Sequence, residues 1–147
     1  MVSGGQTGAD RAALDVALEL GFEASGWCPK GRRAEDGPLG SHYPLTETPQ
    51  ARYIQRTTWN VRDSDATLIV AQRPLSGGTA ATERLTISRG EPCLVVHPDD
   101  AEAITDVRAW LDDNAIDTLN IAGPRQRPDL DSYDDCDRLL RALFEGC

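Results

Sequence analysis

The chain opens on SGGQTG, three glycines with a serine, a glutamine and a threonine, and runs directly into the helical pattern ADRAALDVALEL. Glycine allows backbone N–H groups to crowd together, and a helix start adds unpaired N–H groups and the positive end of a dipole. That combination suits an anion. Gly4, Gly5 and Gly8 would shape the turn, while Ser3, Gln6 and Thr7 offer side-chain hydrogen bonds to oxygen. The plain alternative is a strand-to-helix turn in which Thr7 or Gly8 merely starts the helix. A second stretch, AQRPLSGGTAATERL, repeats the chemistry: Ser76, Gly77, Gly78, Thr79 and Thr82 follow an apolar run and open another helix. Two such junctions can converge on one ligand if their strands adjoin in a sheet, and chance turns explain two less easily than one. Neither stretch is GxGxxG or GxxxxGK[ST], so dinucleotide-fingerprint and Walker-type readings are not supported.

A third stretch, GWCPKGRR, offers Trp27 to stack on a ring and Lys30, Arg32 and Arg33 to meet negative charge, or is simply a solvated basic loop. Arg56, Thr57, Asn60 and Asp63 recur at helical steps, so they can turn one polar face to the site or to solvent. Cys28, Cys93, Cys136 and Cys147 form no CxxC, and His42 and His97 sit in no metal-ligand spacing, so no zinc-type metal site is expected. Cys93 reads as an ordinary buried thiol, and the cysteine pattern favours a reducing compartment.

The elements that must position these residues alternate. TLIVA (67–71), CLVVH (93–97) and TLNIA (118–122) are short and apolar on successive residues, as strands covered on both faces are. Helical patterns occupy 12–20, 49–62, 79–89, 99–114 and 132–144, with a short strand near 24–27 and a long loop across 26–48. The fold class is therefore α/β: a Rossmann-like, doubly wound, mainly parallel sheet flanked by helices, in one domain spanning 1–147. Ligands bind such sheets beyond the carboxyl ends of the strands, where the strand order reverses. Only Met1 and Val2 precede Ser3, which curtails the first strand and suggests that residues upstream of this start belong to the protein.

The net charge of −9 is uneven, because residues 99–147 carry thirteen acids against five bases while 1–33 balance four against four. Bulk capture of nucleic acid or an anionic membrane is not expected, whereas a small anionic ligand held by local N–H groups is. No signal peptide or long apolar span appears, which points to a cytoplasmic protein. Leu139, Leu140, Leu143 and Phe144 make one apolar cluster on the last helix, which serves either the core or a two-fold contact; a homo-oligomer is expected.

In order, SGGQTGADRAALD, GWCPKGRRAEDG, YPLTETPQARYIQRTTWNVRDSDATLIV, LSGGTAATE and LNIAGPR closely resemble the molybdenum-cofactor carrier family, through nearly the whole chain. That family is grouped with the Rossmann-like DprA, YpsA and Lonely Guy proteins, which bind nucleotides or related phosphate ligands. The resemblance implies an anion pocket formed by Gly4, Gly5, Gln6, Thr7 and Gly8 with Gly77, Gly78, Thr79 and Thr82. It implies the molybdenum cofactor (molybdopterin) or molybdate as ligand, held without turnover, and molybdoenzymes or cofactor-synthesis proteins as partners. Two alternatives stay open. One is a phosphoribohydrolase of the Lonely Guy type, with Glu83 activating water and Arg11 or Arg56 holding phosphate; the other is a nucleotide-sensing module. Against the Lonely Guy signature PGGxGTxxE, Ser76 replaces the proline and Glu83 comes one residue early.

Overall fold

The computed structural model describes residues 1–145; Cys147 lies outside them. In chain order the elements are α1 (Ala9–Leu20), β1 (Trp27–Cys28), β2 (Thr46–Glu47), α2 (Tyr53–Arg62), β3 (Ala66–Val70), α3 (Gly77–Arg89), β4 (Cys93–Val96), α4 (Ala103–Asn114), β5 (Leu119–Ala122) and α5 (Ser132–Phe144). The α/β alternation expected from the sequence is the one observed.

All five residues of β3 are buried, which is why ATLIV is apolar without alternation: the strand is central and covered on both faces. It pairs in parallel with β4 (Thr67 opposite Cys93) and with β5 (Ala66 opposite Leu119). On the other side β1 pairs in parallel with β2, Trp27 opposite Thr46. The two ladders are joined by residue 2. Val2 N–H donates to Leu119 O at 2.7 Å, Ile121 N–H donates to Val2 O at 2.9 Å, and Ser25 N–H donates to Met1 O at 3.0 Å. The first strand is thus reduced to bridges from Val2 to Asn120 and Ser25.

Across the sheet the order is β4, β3, β5, Val2, β1, β2. The chain leaves Val2 toward β1 and β2, crosses to β3 and β4, and returns through β5 to lie beside Val2. The order therefore reverses between β5 and Val2, and the loops beyond both, 3–8 and 123–131, leave the sheet side by side. They feed α1 and α5, which pack on each other. The packing is close because α1 presents Ala9, Ala12, Ala13, Val16 and Ala17, all buried, while α5 inserts Cys136, Leu139, Leu140 and Leu143. The apolar cluster on α5 is spent in this core, and Phe144 meets the Phe22 ring edge-on at 5.3 Å. Trp110 packs against the same core, as its stripe on α4 suggests.

Two helices begin later than their patterns predict. Before α2, Thr48 Oγ1 donates to Gln50 O and Gln50 N–H donates to Gln55 Oε1, so local side-chain bonds hold 49–52 out of the helix. Before α4, Asp99 N–H donates to His97 Nδ1 and Glu102 N–H to Asp100 Oδ1, with the same effect. Cys93 is half-buried rather than buried, since β4 is the sheet edge.

The long loop is ordered around one side chain. Arg32 sends its guanidinium to the carbonyls of Gly40 (2.8 Å), Tyr43 (2.9 Å) and Leu45 (3.3 Å). Leu39, Tyr43 and Leu45 then pack with Leu14 and Cys28 in a second, smaller core. This arginine is a scaffold for the loop, not a free cation facing a ligand.

Candidate functional site

Above the carboxyl ends of β3, β4 and β5 lies a cavity of about 800 Å³. Its walls come from the opening loop (Gly4, Gln6) and Asp10 of α1, from α2 (Tyr53, Arg56, Asn60), from the segment after β3 into α3 (Arg73, Ser76 to Thr79, and Thr82), from the turn after β4 (His97 to Asp99), and from the segment after β5 into α5 (Gly123 to Arg125, and Ser132). Both glycine-rich junctions reach it, which follows from β3 and Val2 each lying next to β5.

The start of α3 is the more open of the two. Ser76 takes the N-cap position without a side-chain cap, and the first backbone acceptor bond inside the helix is Ala80 N–H to Ser76 O at 3.2 Å. The amides of the first turn therefore point forward without helical partners. Gly77 has φ 53°, and a β-carbon at Gly77 or Gly78 would meet nothing within 4 Å. Thr82 Oγ1 donates back to Gly78 O at 2.8 Å and supports the turn from within.

The opening loop is organised differently from a simple nest of N–H groups. Gly5 N–H donates to Ser3 Oγ, Gln6 N–H to Asp10 Oδ2 at 3.4 Å, and Thr7 N–H to Gln6 Oε1 at 3.0 Å. The loop carbonyls are also taken: Arg56 Nη1 donates to Gly4 O at 2.8 Å, and Arg11 donates to Gly5 O at 3.1 Å. The glycines thus serve close approach. A β-carbon on Gly4 would lie 2.5 Å from Arg56 Cδ, so only glycine lets that side chain cross the loop. At Gly8, with φ 83°, a β-carbon would fall inside contact distance of Ser132 Oγ and Pro124 O.

Asp10 and Arg56 form a mostly buried pair at the cavity wall, 3.8 Å apart, with side chains 13% and 9% exposed. Burial pushes the Asp10 carboxyl up to about 6, against the opposing pull of Arg56 and of the Gln6 amide. Burial also lowers the Arg56 guanidinium, which Asp10 partly offsets. Every other arginine on the cavity wall has an acidic partner too: Arg73 with Glu83, Arg125 with Glu35, and Arg127 with Asp129. Charge is balanced, so helix amides and neutral side-chain donors are the groups left to meet a ligand.

Two neutral polar atoms stand out. Gln6 Nε2 and Ser132 Oγ are buried without a hydrogen-bond partner among the described residues, in residues 6% and 3% exposed that both line the cavity.

Of the residues singled out in the sequence, the cavity gathers Gly4, Gln6, Arg56, Thr57, Asn60, Ser76, Gly77, Gly78, Thr79 and Thr82, while Asp63 lies outside it. Asn60 is committed to β1, accepting from Trp27 N–H at 2.8 Å and donating to Trp27 O at 3.1 Å. Ser3 and Gly5 lie behind the loop, Ser3 donating to Asp10 O at 2.7 Å. Thr7 and Gly8 open instead on a neighbouring cleft of about 660 Å³, with Arg11, Asp15, Tyr43 and Tyr133. There Tyr43 donates to Asp15 at 2.6 Å, and Tyr133 donates to the other carboxylate oxygen.

Trp27 and Lys30 lie outside the cavity. The Trp27 indole N–H donates to Asp63 at 2.7 Å and its ring meets Trp59 edge-on at 4.7 Å, which ties β1 to α2. The aromatic ring on the cavity wall is Tyr53, with the Arg56 guanidinium 5.3 Å from its centroid. Arg11 is paired with Asp36 in the neighbouring cleft. Glu83 is clamped by Arg73 at 2.6 Å, its carboxyl held below the ordinary range by that bond, and it does not line the cavity.

Asp10, Tyr53 and Ser132 are wall residues that pattern reading does not select. Asp10 and Ser132 sit in first helical turns, where acids and hydroxyls are ordinary, and only the reversal of strand order brings α1 and α5 together. No group of His, Cys, Asp and Glu suited to a metal ion occurs among the described residues, and no helix among them is long and apolar enough to cross a membrane.

The sequence model of the Circularly permutated YpsA SLOG family matches residues 1–144. The crystal structure of a protein from Syntrophus aciditrophicus named as a putative molybdenum carrier protein superposes with a TM-score of 0.94 at 43% identity, covering 97% of this chain and 92% of that one. No curated protein matches the chain.

Proposed function

The chain belongs to the Circularly permutated YpsA SLOG family, and from that premise we propose that it is a carrier that holds a phosphorylated pterin, the molybdenum cofactor, or molybdate in the cavity above β3 and β5 without turning it over. The observation that carries the reading is the start of α3: uncapped first-turn amides, preceded by a serine and flanked by two glycines, opening on a cavity large enough for a pterin-sized ligand. The 43% identical molybdenum-carrier relative supports the choice of ligand. The phosphate or oxyanion sits on the α3 amides, where the dipole favours negative charge and the first turn carries no acidic residue of its own. Tyr53 offers a wall for a ring. The acceptors of the cargo are molybdoenzymes or cofactor-synthesis proteins.

Calorimetric titration with molybdenum cofactor and, separately, with molybdate tests the reading. Saturable binding of at least one is expected. Failure of both to bind at millimolar concentration contradicts it.

A further inference from the structure

Gln6 and Ser132 differ from the rest of the cavity wall in having buried hydrogen-bonding capacity that nothing among the described residues uses. Such orphaned groups each cost stability, typically about 1–3 kcal/mol, so a pair of them on one cavity calls for a partner that binds there. The orientation of the Gln6 amide is fixed by its surroundings. Its Oε1 accepts two backbone N–H groups, from Thr7 at 3.0 Å and Glu35 at 2.8 Å, which leaves Nε2 as the free end and makes that end a donor. At the start of α5, Tyr133 N–H is taken by Gln126 Oε1 at 3.0 Å and Asp134 N–H by Asp131 Oδ1 at 3.1 Å. The polar group left unbonded in this turn is therefore the hydroxyl of Ser132, a residue of the cavity wall. Gly8, two residues beyond Gln6, closes the distance between the two segments, since any β-carbon there would displace that hydroxyl.

We propose that Gln6 Nε2 and Ser132 Oγ form a second subsite, separate from the α3 amides, which recognises an uncharged carbonyl- or oxo-type oxygen at the far end of a phosphate-bearing ligand. The inference rests on the reading of α3 as the phosphate-holding end. Uncharged donors favour such an oxygen because charge on this wall is already balanced by pairing, so selectivity comes from hydrogen-bond geometry. Gln6 cannot serve an N–H donor of the ligand, because its own acceptor is occupied. Ligands that carry phosphate but no acceptor at the far end gain nothing from it.

The test compares inorganic phosphate with a panel of phosphomonoesters, including a pterin phosphate, UMP and glycerol phosphate, on the wild-type chain and on Gln6→Glu and Ser132→Ala. Gln6→Glu keeps the oxygen that accepts from Thr7 and Glu35 and replaces the free donor with an acceptor oxygen, adding a carboxylate at that point. Ser132→Ala removes an unbonded hydroxyl and leaves folding intact. The wild type is expected to bind at least one carbonyl-bearing ester about tenfold or more tighter than inorganic phosphate; Ser132→Ala then loses about fivefold and Gln6→Glu about tenfold of that increment, with phosphate affinity unchanged in Ser132→Ala. If UMP rather than the pterin phosphate shows the increment, the subsite stands and the pterin reading fails. If no ester exceeds inorganic phosphate, or the increment survives both substitutions, the subsite is overturned.

Discussion

Asp10 is the cavity-wall carboxyl whose protonation state is expected to set how tightly an anion is held on the proposed reading. Its carboxyl titrates near 6 because burial disfavours the charge, so acidification through that value removes a negative charge from the wall while Arg56 keeps its positive one. Sulfate, whose own charge is constant over the range, is therefore expected to bind more tightly at pH 5 than at pH 7.5. Asp10→Asn should bind sulfate more tightly at neutral pH and lose most of the pH dependence, as read by calorimetry at each pH. The sign for stability runs the other way from an ordinary salt-bridged aspartate. The folded state holds the Asp10 proton more firmly than the unfolded chain, so stability from this group is greatest below the ordinary value of 3.8 and declines as pH rises from there to about 6. A wild-type sulfate affinity that is flat from pH 5 to 7.5 would remove Asp10 from the site. A neighbouring residue sets a structural limit: Gly8→Ala puts a β-carbon at φ 83° into Ser132 Oγ and Pro124 O. Its expected cost is about 3 kcal/mol or more, visible as a lowered midpoint in thermal or urea denaturation.

Among the elements, α3 separates binding from folding. Gly78→Asp places a carboxylate in front of the first-turn amides, where it occupies the anion position and repels a second negative charge. The same carboxylate suits a helix N-terminus, and a β-carbon there meets nothing, so the melting temperature is expected to change by no more than about 2–4 °C while oxyanion binding is lost. This is also where the sequence was most legible. LSGGTAATE announces an open helix start because glycine, a hydroxyl and a preceding apolar run are local signals, and the structure places Ser76 to Thr79 on the cavity. SGGQTGADR reads the same way but is used differently, since its amides turn inward to Ser3, Asp10 and Gln6. Trp27, Lys30, Arg32 and Arg33 share a basic, aromatic loop that pattern alone cannot assign. Their partners, Asp63 for Trp27 and the loop carbonyls for Arg32, are set by long-range packing. The α/β alternation was legible because β3, β4 and β5 are apolar runs separated by periodic helices. The late starts of α2 and α4 were not, because side-chain bonds to nearby backbone outcompete helix formation at 49–52 and 99–102.

For the whole molecule, the arrangement of the strands matters more than net charge. On the proposed reading a chain at −9 can take an anion because the cavity wall pairs each of its arginines with an acid and leaves helix amides and neutral donors to meet the ligand. The reversal of strand order beside Val2 sets α1 beside α5 at the end of the sheet where α3 also starts, so the cavity wall draws on residues from 4 to 135. The measurement that bears most directly on the carrier reading is native mass spectrometry of the protein purified from cells that make molybdenum cofactor, wild type beside Gly78→Asp. The account expects the wild type to carry a mass increment equal to a phosphorylated pterin, with or without molybdenum, and the variant to carry none. An unliganded mass for the wild type, a co-purifying nucleotide instead, or an increment that persists unchanged in Gly78→Asp would contradict it.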